Sequence, residues 1–294
     1  MPRPPQYLFP DGASFGADNV VLHARAKRHT VTDFPGPLSI KTVVHGAVPW
    51  IVRGRTLVVD PSSFLVLGDG EEYSMDFESP YAMETACAFF KRGFVERVAE
   101  DATTPVEAAL DDPEREAAAL PSISRLHVDR DGTIVGRLQS LAKRCRVELQ
   151  PSSFEEDFLR LSHALLTFYD HINTQMARVP AAKAATREEL FRRLERGREF
   201  IHGHADGPLS LDTVAKEACL SPFHFHRVFT QVYQKTPHGY ITDVRLARAR
   251  SLIESGRPVA EACVDVGFSS TTSFTRLFRA RYGAPPSKLR RAAK

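Results

Sequence analysis

Arg227 and Arg276 occupy the same place in two nine-residue phrases, SPFHFHRVF (Ser221–Phe229) and STTSFTRLF (Ser270–Phe278), which lie 49 residues apart. An arginine fork can bond guanine O6 and N7 together, a hydroxyl can meet several base edges, and an aromatic ring or methyl can touch the thymine methyl. Each phrase holds such a set: Phe223, His224, His226 and Arg227 in the first, and Thr271, Thr272, Ser273, Thr275 and Arg276 in the second. Phe225 and Phe229, like Phe274 and Phe278, are four apart and read as one buried helical face, which turns the other residues outward. The chemistry such a surface can do is direct reading of base edges in a major groove. One copy would also fit a merely solvated helix. Two copies with matching caps, cores and arginines favour a built surface.

Such side chains need helices, caps and turns to position them. Before the first phrase stands LDTVAKEACLS, and before the second VAEACVDVGFSS; each reads as a short helix, a tight turn and a second helix. Ser221 and Ser270 are suited to N-caps, and Pro222 to the first helical turn. Ala215 and Cys263 are the small residues where paired helices cross. Gly267 supplies a left-handed turn residue in the second unit. Cys219 stands where the first unit would want glycine, at about 1 kcal/mol of strain. The likeness continues through Tyr233 with Tyr282, Pro237 with Pro286 and Tyr240 with Leu289. Between the units, GYITDVRLARARSLIESG reads as a rigid connecting helix with Ile241, Val244, Leu246, Ala249, Leu252 and Ile253 on its apolar side. Its Arg245, Arg248 and Arg250 are expected to meet phosphates, which set position without reading sequence. Two recognition helices on one side of B-DNA must sit about one turn, ~34 Å, apart.

The charge follows this division. Residues 190–294 hold 18 Lys/Arg against 9 Asp/Glu, while residues 1–189 hold 21 against 27. A basic half joined to an acidic one points to a nucleic-acid-binding module attached to something else. Hydrophobic content of 43% over 294 residues allows about two ordinary globular domains. No apolar run approaches the ~18 residues of a membrane span. The opening MPRPPQYLFPDG lacks the apolar region of a secretory signal, so a cytoplasmic protein is expected. Cys87, Cys145, Cys219 and Cys263 show no metal-binding spacing and read as inert thiols.

In the front half, Leu38 to about Phe90 reads as strands. LSIKTVVHG alternates, PWIVRGRTLVVDP is two apolar runs about a hairpin-like turn, SSFLVLGDGEEYSMDF is a buried run followed by a turn, and YAMETACAFF is a further strand. Short strands at regular spacing predict a barrel or jelly roll. VEAALDDPEREAAAL reads as a helix or exposed loop, and DGTIVGRLQSLAKRC becomes helical after a turn. In SSFEEDFLRLSHALLTFYDHINTQM, Ser153 and Glu156 resemble a capping box, and Phe154, Phe158, Leu161, Leu165, Phe168 and Ile172 make an apolar helical stripe. ARVPAAKAATREE reads as a linker.

Residues 190–294 resemble the DNA-binding region of the AraC/XylS family of bacterial transcription regulators. The second unit carries the signature: Gly267-Phe268, Phe274, Arg276, Phe278, Gly283, Pro286 and Arg290. Leu289 departs from a usual aromatic and Cys219 from a usual glycine. The resemblance implies that Phe223 and Arg227, and Thr271, Thr272, Ser273 and Arg276, contact double-stranded DNA through two successive major grooves. It also implies that the front strands form a cupin-like barrel that takes a small-molecule effector, and that the following helix makes a homodimer. The fold class is thus α+β. A cupin-like domain covers 1–150, a dimerisation helix 151–178, a linker 179–189, and an all-α double helix-turn-helix domain 190–294. The function implied is a sequence-specific, effector-responsive transcription activator that contacts RNA polymerase, with no membrane partner.

His45, Trp50 and Tyr73 are the candidate effector contacts. His23, His29 and His45 are isolated and Glu71-Glu72 has no paired histidine, so neither a metal site, a cofactor nor an enzyme is expected. His202, His204, His224 and His226 read as solvated or DNA-facing. Three other readings stand beside this one: a dimeric DNA binder without a ligand, a cupin metalloenzyme fused to a DNA-binding domain, and a repair protein, for which the required N-terminal cysteine cluster is missing from this sequence.

Overall fold

The computed structural model describes residues 6–103, 125–129, 132–145, 151–254 and 256–292. The expected helix or loop at 106–120 lies outside the described residues. The chain divides into two compact units, Met1–His171 and Ile172–Lys294.

The first unit is an antiparallel sheet curled into a nearly closed barrel. Its strands are β1 (Gln6–Phe9), β2 (Val20–Pro35), β3 (Ser39–His45), β4 (Val48–Val52), β5 (Arg55–Val59), β6 (Ser63–Leu67), β7 (Glu72–Phe89) and β8 (Arg125–Val128). The hydrogen-bonded order is β1-β2-β7-β3-β6-β8, with the β4–β5 hairpin attached to β7 through β4. The sequence pattern places the strands between Leu38 and Phe90 but not β1, β2 and β8.

β7 is the organiser. It pairs with β2 along most of its length, with β4 at its start and with β3 at its end. Its pairing with β2 skips from Glu78 to Met83, the interval that contains Pro80, which has no N–H to give a ladder. The β4–β5 turn holds Arg53 at φ 50 and Gly54 at φ 71, the two left-handed residues of a tight hairpin. Alternation along β4 sends Val48, Trp50 and Val52 inward. There they meet Val43, Leu57, Val59, Leu65, Leu67, Tyr73 and Met75 in one core.

Helices cover the other face: α1 (Phe94–Thr103), α2 (Thr133–Cys145) and α3 (Pro151–Ala177). The apolar stripe expected on α3 is buried at Phe154, Phe158, Leu161, Leu165 and Ile172. Phe154, Phe158 and Phe168 set their rings against Phe9, Phe90 and Phe64 at 4.8, 5.3 and 5.1 Å. The helix is already formed at Pro151, so Ser153 lies inside its first turn and is not its cap.

The second unit is all helical: α4 (Ala184–His204), α5 (Leu211–Glu217), α6 (Pro222–Tyr233), α7 (Pro237–Glu254), α8 (Val259–Asp265), α9 (Thr271–Tyr282) and α10 (Pro286–Ala292). The segment expected as a linker, 179–189, is anchored at both ends. Val179 is buried, Gln231 Nε2 on α6 donates to the Arg178 carbonyl at 3.1 Å, and α4 begins at Ala184.

Candidate nucleic-acid interface

The two phrases form α6 and α9, and the same backbone device starts each. Ser221 Oγ accepts from the His224 N–H, and Ser270 Oγ accepts from the Ser273 N–H, both at 3.3 Å. The preceding turns also match. Cys219 N–H donates to Lys216 O and Leu220 N–H to Ala215 O, at 3.0 and 2.9 Å. Gly267 N–H donates to Val264 O and Phe268 N–H to Cys263 O, at 2.9 and 3.0 Å. Both are left-handed helix ends, with φ 53 at Cys219 and φ 87 at Gly267. The first unit therefore makes its turn with a side chain in a conformation that favours glycine, as the sequence pattern required.

Gly267 meets a second demand. A Cβ there would lie 2.6 Å from the Asp206 carbonyl oxygen, so the loop after α4 crosses this turn at backbone distance. Gly197 plays the same part in the first unit: a Cβ on that turn of α4 would stand 2.6 Å from the Phe225 ring. Inward, Phe225 and Phe229 pack at 5.1 Å, and Phe274 and Phe278 at 5.5 Å, all fully buried. Ala215 and Cys263 are buried where the helices cross.

Burial of these rings fixes what faces out. Phe223 is 79% exposed, an unusual state for a phenylalanine, and His226 and Arg227 are exposed beside it, while His224 is half-buried. On α9, Thr271, Thr272, Ser273, Thr275, Arg276 and Arg279 are exposed. Thr271, Thr272, Thr275, Arg276 and Arg279 line one shallow concavity that ends at Gly283.

Hydrogen bonding sorts the basic residues. Among the described residues, Arg227, Arg276 and Arg279 engage no protein acceptor. Arg245 and Arg248, expected at phosphates, face the protein instead. Arg245 donates to the carbonyls of Ala205 and Gly207 at 2.7 and 2.8 Å, and burial lowers its pKa against the opposing Asp206 charge. Arg248 donates to the His202 carbonyl and pairs with Asp206 at 2.7 Å, with its side chain only 11% exposed. The physical reason is local. The loop at 205–207 leaves helix-end carbonyls beside α7, and guanidinium groups satisfy them. Arg250 pairs with Glu254 at 2.8 Å.

Arg198 is likewise internal. It holds both oxygens of Glu195 at 2.8 Å, Tyr233 donates to the same carboxylate, and burial with that carboxylate pushes the Tyr233 phenol up. Arg279, not among the sequence candidates, is legible as the residue three after Arg276 on the same helical face. His202 is buried in α4, and His204 stacks on Phe200 at 4.1 Å.

The three candidate effector residues do not make one lining. Trp50 and Tyr73 are buried in the barrel core, whereas His45 is exposed at the end of β3. Among the described residues no helix is long and apolar enough to cross a membrane.

Two capped helices, each behind a left-handed turn and each presenting polar and basic groups, define a double helix-turn-helix DNA-binding module. Residues 214–292 match a family model described as a helix-turn-helix domain. The chain is 36% identical over 93 residues to the regulatory protein SoxS of Salmonella typhimurium, covering 31% of this chain and 87% of SoxS. It is 35% identical over 95 residues to the transcriptional regulator Rob of the same organism, covering 32% of this chain and 33% of Rob. A solved AraC-type transcriptional regulator from Chromobacterium violaceum shares 25% identity, covers 35% of this chain and 92% of that one, and superposes with a TM-score of 0.33. The chain belongs to the AraC family and is a DNA-binding transcription regulator.

Proposed function

We propose that α6 and α9 enter successive major grooves and read sequence with Phe223, His224, His226 and Arg227 from the first helix and Thr271, Thr272, Ser273 and Arg276 from the second. The observation that carries this reading is the sorting of the arginines. Those on the two helix faces have no protein partner among the described residues, while Arg245 and Arg248 hold the fold together. Arg279 joins the set as a phosphate contact, and Arg245 and Arg248 leave it.

The rest of the reading concerns the whole protein. The barrel at 1–150 senses a small-molecule effector, the helix at 151–178 pairs two copies, and 179–189 carries the signal to the DNA-binding domain at 190–294. Leu159, 42% exposed on α3, supports the pairing role. The protein acts in the cytoplasm as an activator that contacts RNA polymerase, with no catalytic step. The test is selection of bound sequences from random DNA with the full chain at fixed salt. Two preferred blocks about one helical turn apart are expected. A single block would remove base reading from one of the helices.

A further inference from the structure

Lys41 is fully buried inside the barrel. It lies on the inward row of β3 with Ser39 and Val43, opposite Leu65 on β6 and Cys87 on β7. Its Nζ donates to Ser39 Oγ at 3.1 Å and stands 4.0 Å from the centre of the Phe89 ring and 4.4 Å from that of Tyr73. Among the described residues no carboxylate pairs with it. Two other buried ionisable side chains meet an opposite partner: His23 meets Glu84, and Arg198 meets Glu195, both at 2.8 Å. Burial lowers the Lys41 amine to about 8, with the charge that Cys87 would carry on ionising acting the other way, so at neutral pH the amine still carries its proton.

A buried ammonium with one hydroxyl partner is costly, and an apolar side chain of the same length would suit the core better. The fold therefore gives no reason for a lysine here. The neighbouring rings offer one. Phe89 also packs against Phe15 at 4.5 Å, Phe15 against Phe34 at 5.6 Å, and Phe34 against Tyr73 at 5.6 Å. Phe15, on the turn between β1 and β2, is 37% exposed. An aromatic path thus runs from solvent to a buried cation that no carboxylate pairs with among the described residues.

We infer that Lys41 anchors a binding site for a monocarboxylate with an apolar body. The carboxylate accepts the two ammonium N–H bonds that Ser39 does not take, and the body replaces Phe15 against Phe34 and Phe89. This rests on reading the barrel as a sensor and names the class of effector it takes.

The test is thermal melting of the full chain with phenylacetate and cyclohexanecarboxylate, against their uncharged amides, for the wild type and Lys41→Met. The acids should raise the wild-type Tm in a concentration-dependent way, and the amides should not. Lys41→Met should melt at or above the ligand-free wild type and show no shift with either acid. A Lys41→Met protein melting well below the wild type would make Lys41 a structural member of the core and overturn the site. So would amides as effective as acids, a shift kept by the variant, or no shift with either acid. Acid binding that leaves DNA affinity unchanged would remove the sensing role and leave the site intact.

Discussion

Arg276 and Arg248 carry the same charge in the same half of the chain and do different work. Arg276 has an exposed guanidinium with no acceptor among the described residues, aimed from the first turns of α9. Its replacement by alanine is expected to cost about 1–3 kcal/mol of DNA binding and to relax preference at one base position. Competition binding against single-base variants of the selected site measures both; equal loss on every variant would make Arg276 a phosphate contact. Arg248 instead closes the loop at 205–207 onto α7 through Asp206 and the His202 carbonyl. Arg248→Ala is expected to lower stability by about 1–3 kcal/mol, the range for a lost charged hydrogen bond in a shielded place. A thermal melt reads that loss directly. An unchanged Tm with weaker DNA binding would return Arg248 to the phosphate role that its sequence position suggests.

At the scale of elements, the second turn is where two constraints meet. Gly267 needs a left-handed φ of 87 and leaves only 2.6 Å between a would-be Cβ and the Asp206 carbonyl. Cys219 shows that the turn geometry alone tolerates a side chain. Gly267→Ala is therefore expected to lose more than the ~1 kcal/mol of backbone strain, because the loop after α4 must also retreat. Denaturant melts of Gly267→Ala and Cys219→Gly should move in opposite directions; a Gly267→Ala protein as stable as the wild type would mean the loop gives way freely. These turns were legible because cap, glycine and phenylalanine spacing are local signals that the chain states twice. β2 was not. Its stretch ARAKRHTVTD lies along β7 with one face in solvent, so charged residues occupy a strand whose existence depends on its partner. The basic face of α7 was legible as basic, but not as internal. Only the tertiary fold shows which carbonyls lie against Arg245 and Arg248. Strand alternation put Lys41 in line with Ser39 and Val43, yet a lysine in LSIKTVVHG marks the solvent side by type, and the sequence offers nothing to reverse that reading.

For the whole molecule, the Lys41 amine ties global stability to pH, and the sign follows from where its proton goes. In the folded chain it titrates at about 8, against 10.5 when exposed, so its burial costs about 3 kcal/mol wherever both states are charged. That cost is constant below pH 8. Between about 8 and 10.5 the folded chain has released the proton and the unfolded chain still holds it, so stability rises with pH through this window. Tyr73 and Cys87 are both pushed up by burial and add no positive charge there. Lys41→Met removes the group, so its stability advantage over the wild type is expected to be largest at pH 7 and to shrink steadily from pH 8 to 10.5. Comparing the two proteins by urea denaturation at each pH cancels the titrating groups they share, apart from Cys87, whose thiol feels the Lys41 charge. A constant gap would mean that the lysine loses no hydration on folding and reaches water in the native state. A gap that closes over this interval would establish that the barrel holds an unneutralised cation at neutral pH, at a cost in stability.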